Sequence, residues 1–188
     1  MVASMATPAD IQRLIGDLAR EGEVVSVDRK GGTARVQFAD DLTTGDIPWL
    51  ERRAGSTRTW SPPAIGEQVL VLAPEADTAR GIILGSLSSD ANPQPASDGS
   101  TLTKYEDGAR IGYDPETHAL TALLPAGSTV RINADGGLSI KGPVTVDGDI
   151  SSTGTITAAT DVVGAGKSLK DHIHTGVQAG SALSGKPQ

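Results

Sequence analysis

Residues 23–40 read EVVSVDRKGGTARVQFAD, and the architecture of the chain turns on them. Apolar side chains recur at alternate positions: Val25 and Val27 going out, then Ala34, Val36 and Phe38 coming back. Between them Lys30-Gly31-Gly32 supplies a turn. A period of two interrupted by glycines predicts a β-hairpin with one buried face. DIPWLERRAG (46–55), EQVLVLAPEAD (67–77) and RGIILGSL (80–87) continue as three further strand segments. Five short strands in roughly 65 residues, each closed by Gly, Pro or Asp, predict a small barrel of the OB type over residues 23–90. SH3-like barrels share this pattern.

Upstream, Thr7-Pro8-Ala9-Asp10 has the form of a helix start: a cap, a proline in the first turn and an acid near the positive end. Ile11, Leu14, Ile15 and Leu18 then fall on one helical face, and Gly22 is the expected stop. Residues 1–22 therefore read as an amphipathic helix that covers its own barrel or a neighbouring subunit. Downstream, SSDANPQPASDGS (88–100) is polar, carries two prolines and lacks apolar periodicity. It reads as a linker, with the domain boundary at 91–100.

Beyond the linker the composition changes. The chain has only five aromatic residues, Phe38, Trp49, Trp60, Tyr105 and Tyr113, and none follows Tyr113. Residues 101–170 instead alternate small aliphatics over very short segments: ARIGYD, HALTALL, STVRIN, LSIKG, VTVDG and TITAATDVVG. Asp-Gly, Gly-Gly or Thr-Gly steps separate them. Each segment buries too little to stand alone. The pattern suits a slender β-prism or β-helix shaft in which neighbouring chains share one thin core. A monomer of this region is not expected to fold, which implies an obligate oligomer. Stacked at ~4.8 Å per strand, the shaft would extend on the order of 40 Å.

Charge and composition exclude several functions. Net charge is −7, and acids outnumber bases in both halves, so neither offers the basic field of a nucleic-acid binder. Arg52, Arg53 and Arg58 form a local basic cluster that reads as a solvated loop. Cysteine is absent, which removes disulfides and thiolate sites. No apolar stretch approaches a membrane span, and no secretory signal is read at the N-terminus. VVGAGKSLKD (162–171) holds a Gly-Lys-Ser triplet, but the first glycine of a phosphate loop is replaced by Asp161. An acid there opposes phosphate, so this segment reads as a turn.

Two of the three histidines, His172 and His174, stand one residue apart in SLKDHIHTGVQAGSALSGKPQ (168–188). In an extended strand both rings point the same way. On one chain they make half a metal site, or simply two exposed histidines. On a three-fold axis, three chains gather six imidazoles, and an axial metal relieves both their repulsion and their unused lone pairs. Six nitrogens favour octahedral iron, cobalt or nickel over tetrahedral zinc. Asp171 reads equally as an orienting acceptor for His172 or a solvated turn acid. His118 reads as an exposed strand-edge residue.

Helix, barrel, glycine-rich shaft and the C-terminal DHIHTGVQAG…SGKP together resemble the central spike of contractile phage tails, baseplate assembly protein V, a family that includes R-type pyocin spikes. The most specific part is His172-x-His174-x-Gly176 with Gly180, Gly185 and Pro187. The resemblance implies an all-β homotrimer with its OB-fold barrel on the baseplate hub at the end of the tail tube. It implies a β-helix that narrows to a metal-bound apex at 171–188, where His172 and His174 of three chains hold one iron ion. Calcium or chloride is buried in some such spikes, without residues assigned here. Sheath contraction would drive the spike through the target bacterium's outer membrane, without enzymatic activity. Residues after the ligands would fold back along the shaft, and the metal would weaken at low pH as imidazoles protonate. The expected location is the baseplate tip of a virion or pyocin particle.

Three alternatives share parts of this pattern. A type VI secretion spike has the same architecture. A γ-class carbonic anhydrase is a trimeric β-helix, but its hexapeptide period is missing and His118 lies far from the pair. An OB-fold single-strand binder would need more aromatics and less negative charge.

Overall fold

The computed structural model describes residues 7–39, 41–173 and 180. The chain falls into two compact units, Met1–Val130 and Arg131–Gln188.

In the first unit, α1 (Pro8–Gly16) begins as predicted, with the Ile11 amide donating to the Thr7 carbonyl at 3.0 Å. It ends earlier than its periodicity suggests, because β1 (Ala19–Asp28) has already started. Gly22 does not stop a helix; it lies inside β1. A Cβ there would sit 2.6 Å from Val36 Cγ1 and 2.7 Å from the Gln37 carbonyl, so glycine is required by the close approach of β2. Ile11 and Ile15 remain exposed, so within the chain neither is covered by the barrel.

β1 pairs antiparallel with β2 (Thr33–Phe38) and β4 (Gln68–Leu72); β3 (Ile47–Pro48) flanks β2 and β5 (Ile82–Leu87) flanks β4. The resulting order is β3-β2-β1-β4-β5. The two edges then meet: Trp49 bridges Ile83 in parallel, and the Leu50 amide donates to the Ile83 carbonyl at 2.8 Å. This is the OB-like barrel. Its third strand is shorter than 46–55, since Pro48 has no amide to continue a ladder.

The expected hairpin face needs a correction. Val24 pairs with Val36, yet Ser26 pairs with Arg35, so Val25 is an extra residue in a β-bulge. The bulge shifts the alternation by one. Val24 is fully buried and Val27 packs against the core, while Val25 is 37% exposed. The core consists of Val24, Ala34, Val36, Phe38, Ile47, Val69, Val71 and Ile83. Arg20 lies over the Phe38 ring, 4.3 Å from its centroid.

Thr44 is completely buried among these apolar residues. Its hydroxyl accepts from the Val36 amide at 3.0 Å and donates to the Gly45 carbonyl at 2.8 Å, which satisfies both at the edge of β2.

A separate meander follows in the same unit: β6 (Thr101–Lys104), β7 (Arg110–Asp114) and β8 (Ala119–Leu123). Asp107 and Asp114 accept backbone amides in its two turns. His118 is exposed, but it closes the second turn at φ 55° instead of lying on a strand edge.

Residues 124–160 form no helix or strand and join no ladder with another part of the described chain. Their backbone bonds close turns, as Gly137 does to Ala134 at 2.9 Å, and Gly137, Gly142 and Gly148 adopt positive φ. Ile132, Leu138, Ile140, Val144, Val146 and Ile150 are between 49% and 71% exposed.

Candidate metal centre

Among the described residues, the second unit carries a short hairpin. β9 (Val163–Gly164) and β10 (Lys167–Ser168) pair antiparallel around a two-residue turn. Ala165 and Gly166 both have positive φ, at 48° and 76°. This is the geometry of a type I′ hairpin turn. The Gly-Lys-Ser triplet therefore sits in a hairpin, as the sequence suggested, and not in a phosphate loop.

The open end of the hairpin is tied by side chains. Asp161 accepts from the Val162 amide at 2.8 Å and the Lys170 amide at 3.2 Å. The Asp161 pKa is held below the usual aspartate range, with the neighbouring Ser168 side chain the first cause. Ser168 Oγ in turn accepts from the Lys170 amide at 3.1 Å and the Asp171 amide at 2.8 Å.

His172 follows this turn directly. Its Nδ1 lies 3.2 Å from the Leu169 carbonyl. A carbonyl only accepts, so this contact is a hydrogen bond in those forms of the ring that carry a proton on Nδ1. A neutral imidazole whose other nitrogen is held by a backbone carbonyl is the usual form of a metal-ligating histidine. A single imidazole donor suits zinc, copper, iron and nickel alike. The acceptor on Nδ1 is the Leu169 carbonyl; Asp171 contributes its amide to Ser168, and its side chain is exposed.

His174 lies outside the described residues, as does the segment expected to fold back, Gly180 apart. Among the described residues no group of three or more His, Cys, Asp or Glu converges as a metal site. His118 belongs to the other unit and is not part of this hairpin. Sequence reasoning missed Asp161 and Ser168 as partners. The available signal was their nearness on either side of an Ala-Gly turn, which matters only once the hairpin register is known.

In the barrel, the Glu51 carboxylate organises the loop after β3. It accepts from Trp49 Nε1 at 2.9 Å, the Thr59 hydroxyl at 2.7 Å and the Ser61 amide at 2.8 Å. Those bonds, the Ser61 amide first, hold its pKa below the usual glutamate range. The Trp49 and Trp60 rings meet edge to face at 5.3 Å. Arg52, Arg53 and Arg58 are all exposed in this loop.

With this geometry in place, two segments have recognisable relatives. Residues 20–87, the barrel, match the type VI secretion system/phage-baseplate injector OB domain. Residues 168–188, from β10 onward through His172, match the GpV apex motif. These define the class: a baseplate spike or injector component. The chain is 34% identical over 144 residues to the spike protein of Escherichia phage P2, covering 76% of this chain and 67% of that one. It belongs to the phage baseplate spike family. Membership places it among structural tail components of the virion baseplate rather than with the trimeric carbonic anhydrases.

Proposed function

We propose that three copies of this chain form the membrane-piercing spike of a contractile tail. The observation that carries the reading is the exposed apolar surface of residues 124–160, which join no ladder within the described chain. The accessible area of the single chain is 16279 Å², against about 8,400 Å² for a folded monomer of this mass. Residues outside the described set account for only part of the excess, at about 150 Å² apiece if wholly exposed. An apolar row on a turn-rich segment without internal ladders is what a strand exchanged among three chains leaves behind. Each chain supplies every third layer, and the aliphatic rows meet on the axis as a β-helix.

In this reading the OB barrel seats on the baseplate hub below the tail tube, and the shaft points at the target outer membrane. His172 and His174 of three chains would hold one iron ion at the apex. The ion would cross-link three chain ends that otherwise fray. Sheath contraction supplies the work, and no bond chemistry is required of the chain.

The test is native mass spectrometry with elemental analysis on untagged protein, for the wild type and the His172→Ala/His174→Ala variant. A trimer carrying one iron, lost in the double variant, is expected. A metal-free monomer, or one zinc per chain, would refute the axial site. Particles carrying the double variant should release dye from outer-membrane vesicles less efficiently on contraction.

A further inference from the structure

Two places on the barrel surface hold charge without compensation. The first is the loop after β3, where Arg52 and Arg53 are exposed. Among the described residues no acid pairs with either of them. Their neighbour Glu51 is engaged with Trp49, Thr59 and Ser61. The loop is braced from within as well: Ala54 bridges Arg58, and Arg58 Nε donates to the Gly55 carbonyl at 3.2 Å. Two guanidinium groups are thus presented on a supported loop.

The second place is a groove of about 730 Å³ over β2, β1 and β4, lined by acids and amides and by no lysine or arginine. Glu21 and Glu23 are exposed and alternate with the inward positions of β1, so both carboxylates leave the same face. Glu23 stands between Gln37 of β2 and Gln68 of β4 in the two ladders, and Asp90 adds a third acid. Glu21 accepts from Gln68 Nε2 at 3.2 Å. Among the described residues no cation pairs with Glu21, Glu23 or Asp90. In the strand order β1 is central, whereas the arginine loop lies at the seam where the edges β3 and β5 meet. The cations and the acids therefore belong to different sides of one barrel, and a single chain leaves both unanswered.

Guanidinium and carboxylate groups match in sign and in hydrogen-bond geometry. We propose that Arg52 and Arg53 of one copy seat in the Glu21–Glu23–Asp90 groove of the next. Each chain gives one patch and receives the other, a heterologous contact that closes when the copies stand around an axis. The inference rests on the proposed trimer and names the faces by which its barrels meet. The absence of cysteine from the chain permits a directed test. Gly55 is exposed in the loop, where a Cβ meets nothing within 4 Å, and Ala91 is exposed at the groove. Gly55→Cys/Ala91→Cys therefore adds two thiols and alters no charge. The full chain carrying both changes, or either one, is treated with a short bismaleimide. Covalent species are read on a denaturing gel, beside the native mass of the untreated protein.

The double variant should yield a covalent trimer, and neither single variant should. Adding Arg52→Glu/Arg53→Glu should abolish that product, because like charges then face each other. Adding Glu21→Arg/Glu23→Arg to the same chain should restore it. A native trimer without the covalent product would mean that the barrels meet otherwise; the contact is then wrong while the trimer stands. Cross-linking by a single variant, or a product that survives the arginine reversal, would overturn the pairing of these two patches. Loss without restoration by the compensating change would exclude the groove as the arginines' partner and overturn the proposal too. If the untreated wild type is a monomer, the trimer reading fails and this contact falls with it.

Discussion

Gly22 and Thr44 show how single positions in the barrel are constrained by what lies opposite them. Substituting Gly22 by Ala places a methyl group into Val36, the Gln37 carbonyl and Phe38. Overpacking of that kind costs about 1–3 kcal/mol. Urea unfolding should show a lowered midpoint at unchanged slope, whereas Gly85→Ala, which meets nothing within 4 Å, should not. Thr44→Val keeps the shape but leaves the buried Val36 amide without its acceptor. It is expected to destabilise by about 1–3 kcal/mol despite being apolar for polar in a core. A neutral result in the same unfolding measurement would mean that the amide finds another partner.

Among the elements, the loop between β3 and β4 depends on one carboxylate. Glu51 binds Trp49, Thr59 and Ser61, and its pKa is lowered by those bonds. The depressed folded-state value means that the ionised form is the one the loop prefers. Its contribution is complete above the ordinary glutamate value, about 4.3, and is lost as pH falls through it toward the lower folded value. Glu51→Gln should therefore be less stable than wild type at pH 7, and the difference should shrink steadily below about pH 4. Fluorescence is a suitable readout, because Trp49 and Trp60 are the chain's two tryptophans and both lie at this loop.

For the whole molecule, the informative residues are the ones that look dispensable in a single chain. Ile140 is 63% exposed, and on an ordinary surface Ile140→Asp would be close to neutral. In a shared core, each chain instead loses about 1.5–3 kcal/mol of apolar burial and gains a buried charge. Sedimentation should show loss of the proposed trimer, with the barrel's tryptophan fluorescence unchanged. Retention of the trimer would place Ile140 on the outside of the shaft and reverse the assignment of the axial row.

How far the sequence could be read followed the range of the interactions involved. The OB-like barrel was legible because alternating Val, Ile and Phe with Gly-Gly and Pro turns are local signals. The helix end and the inward face of β1 were misread for a common reason. Gly22 and Val25 are determined by β2 lying against them, one through a close approach and one through a bulge, and neither leaves a mark in its own neighbourhood. The third strand fell short where Pro48 interrupts the ladder. At the candidate metal centre, His172 could be picked out by its rarity and spacing. Asp161, Ser168 and the Leu169 carbonyl could not, since their relation is created by the hairpin register.

By itself, then, the sequence determined the barrel, the aliphatic glycine-rich composition of residues 101–170 and the histidine pair, all properties written in residue type and short period. Tertiary structure decided the phase of β1, the buried role of Thr44, the closure of the barrel through Trp49 and Ile83, and the meeting of the Leu169 carbonyl with His172. The division has a physical cause. Hydrophobic period and turn chemistry act between residues a few positions apart, whereas close approach, bulge phase and side-chain clamps exist only after distant strands have been brought into register.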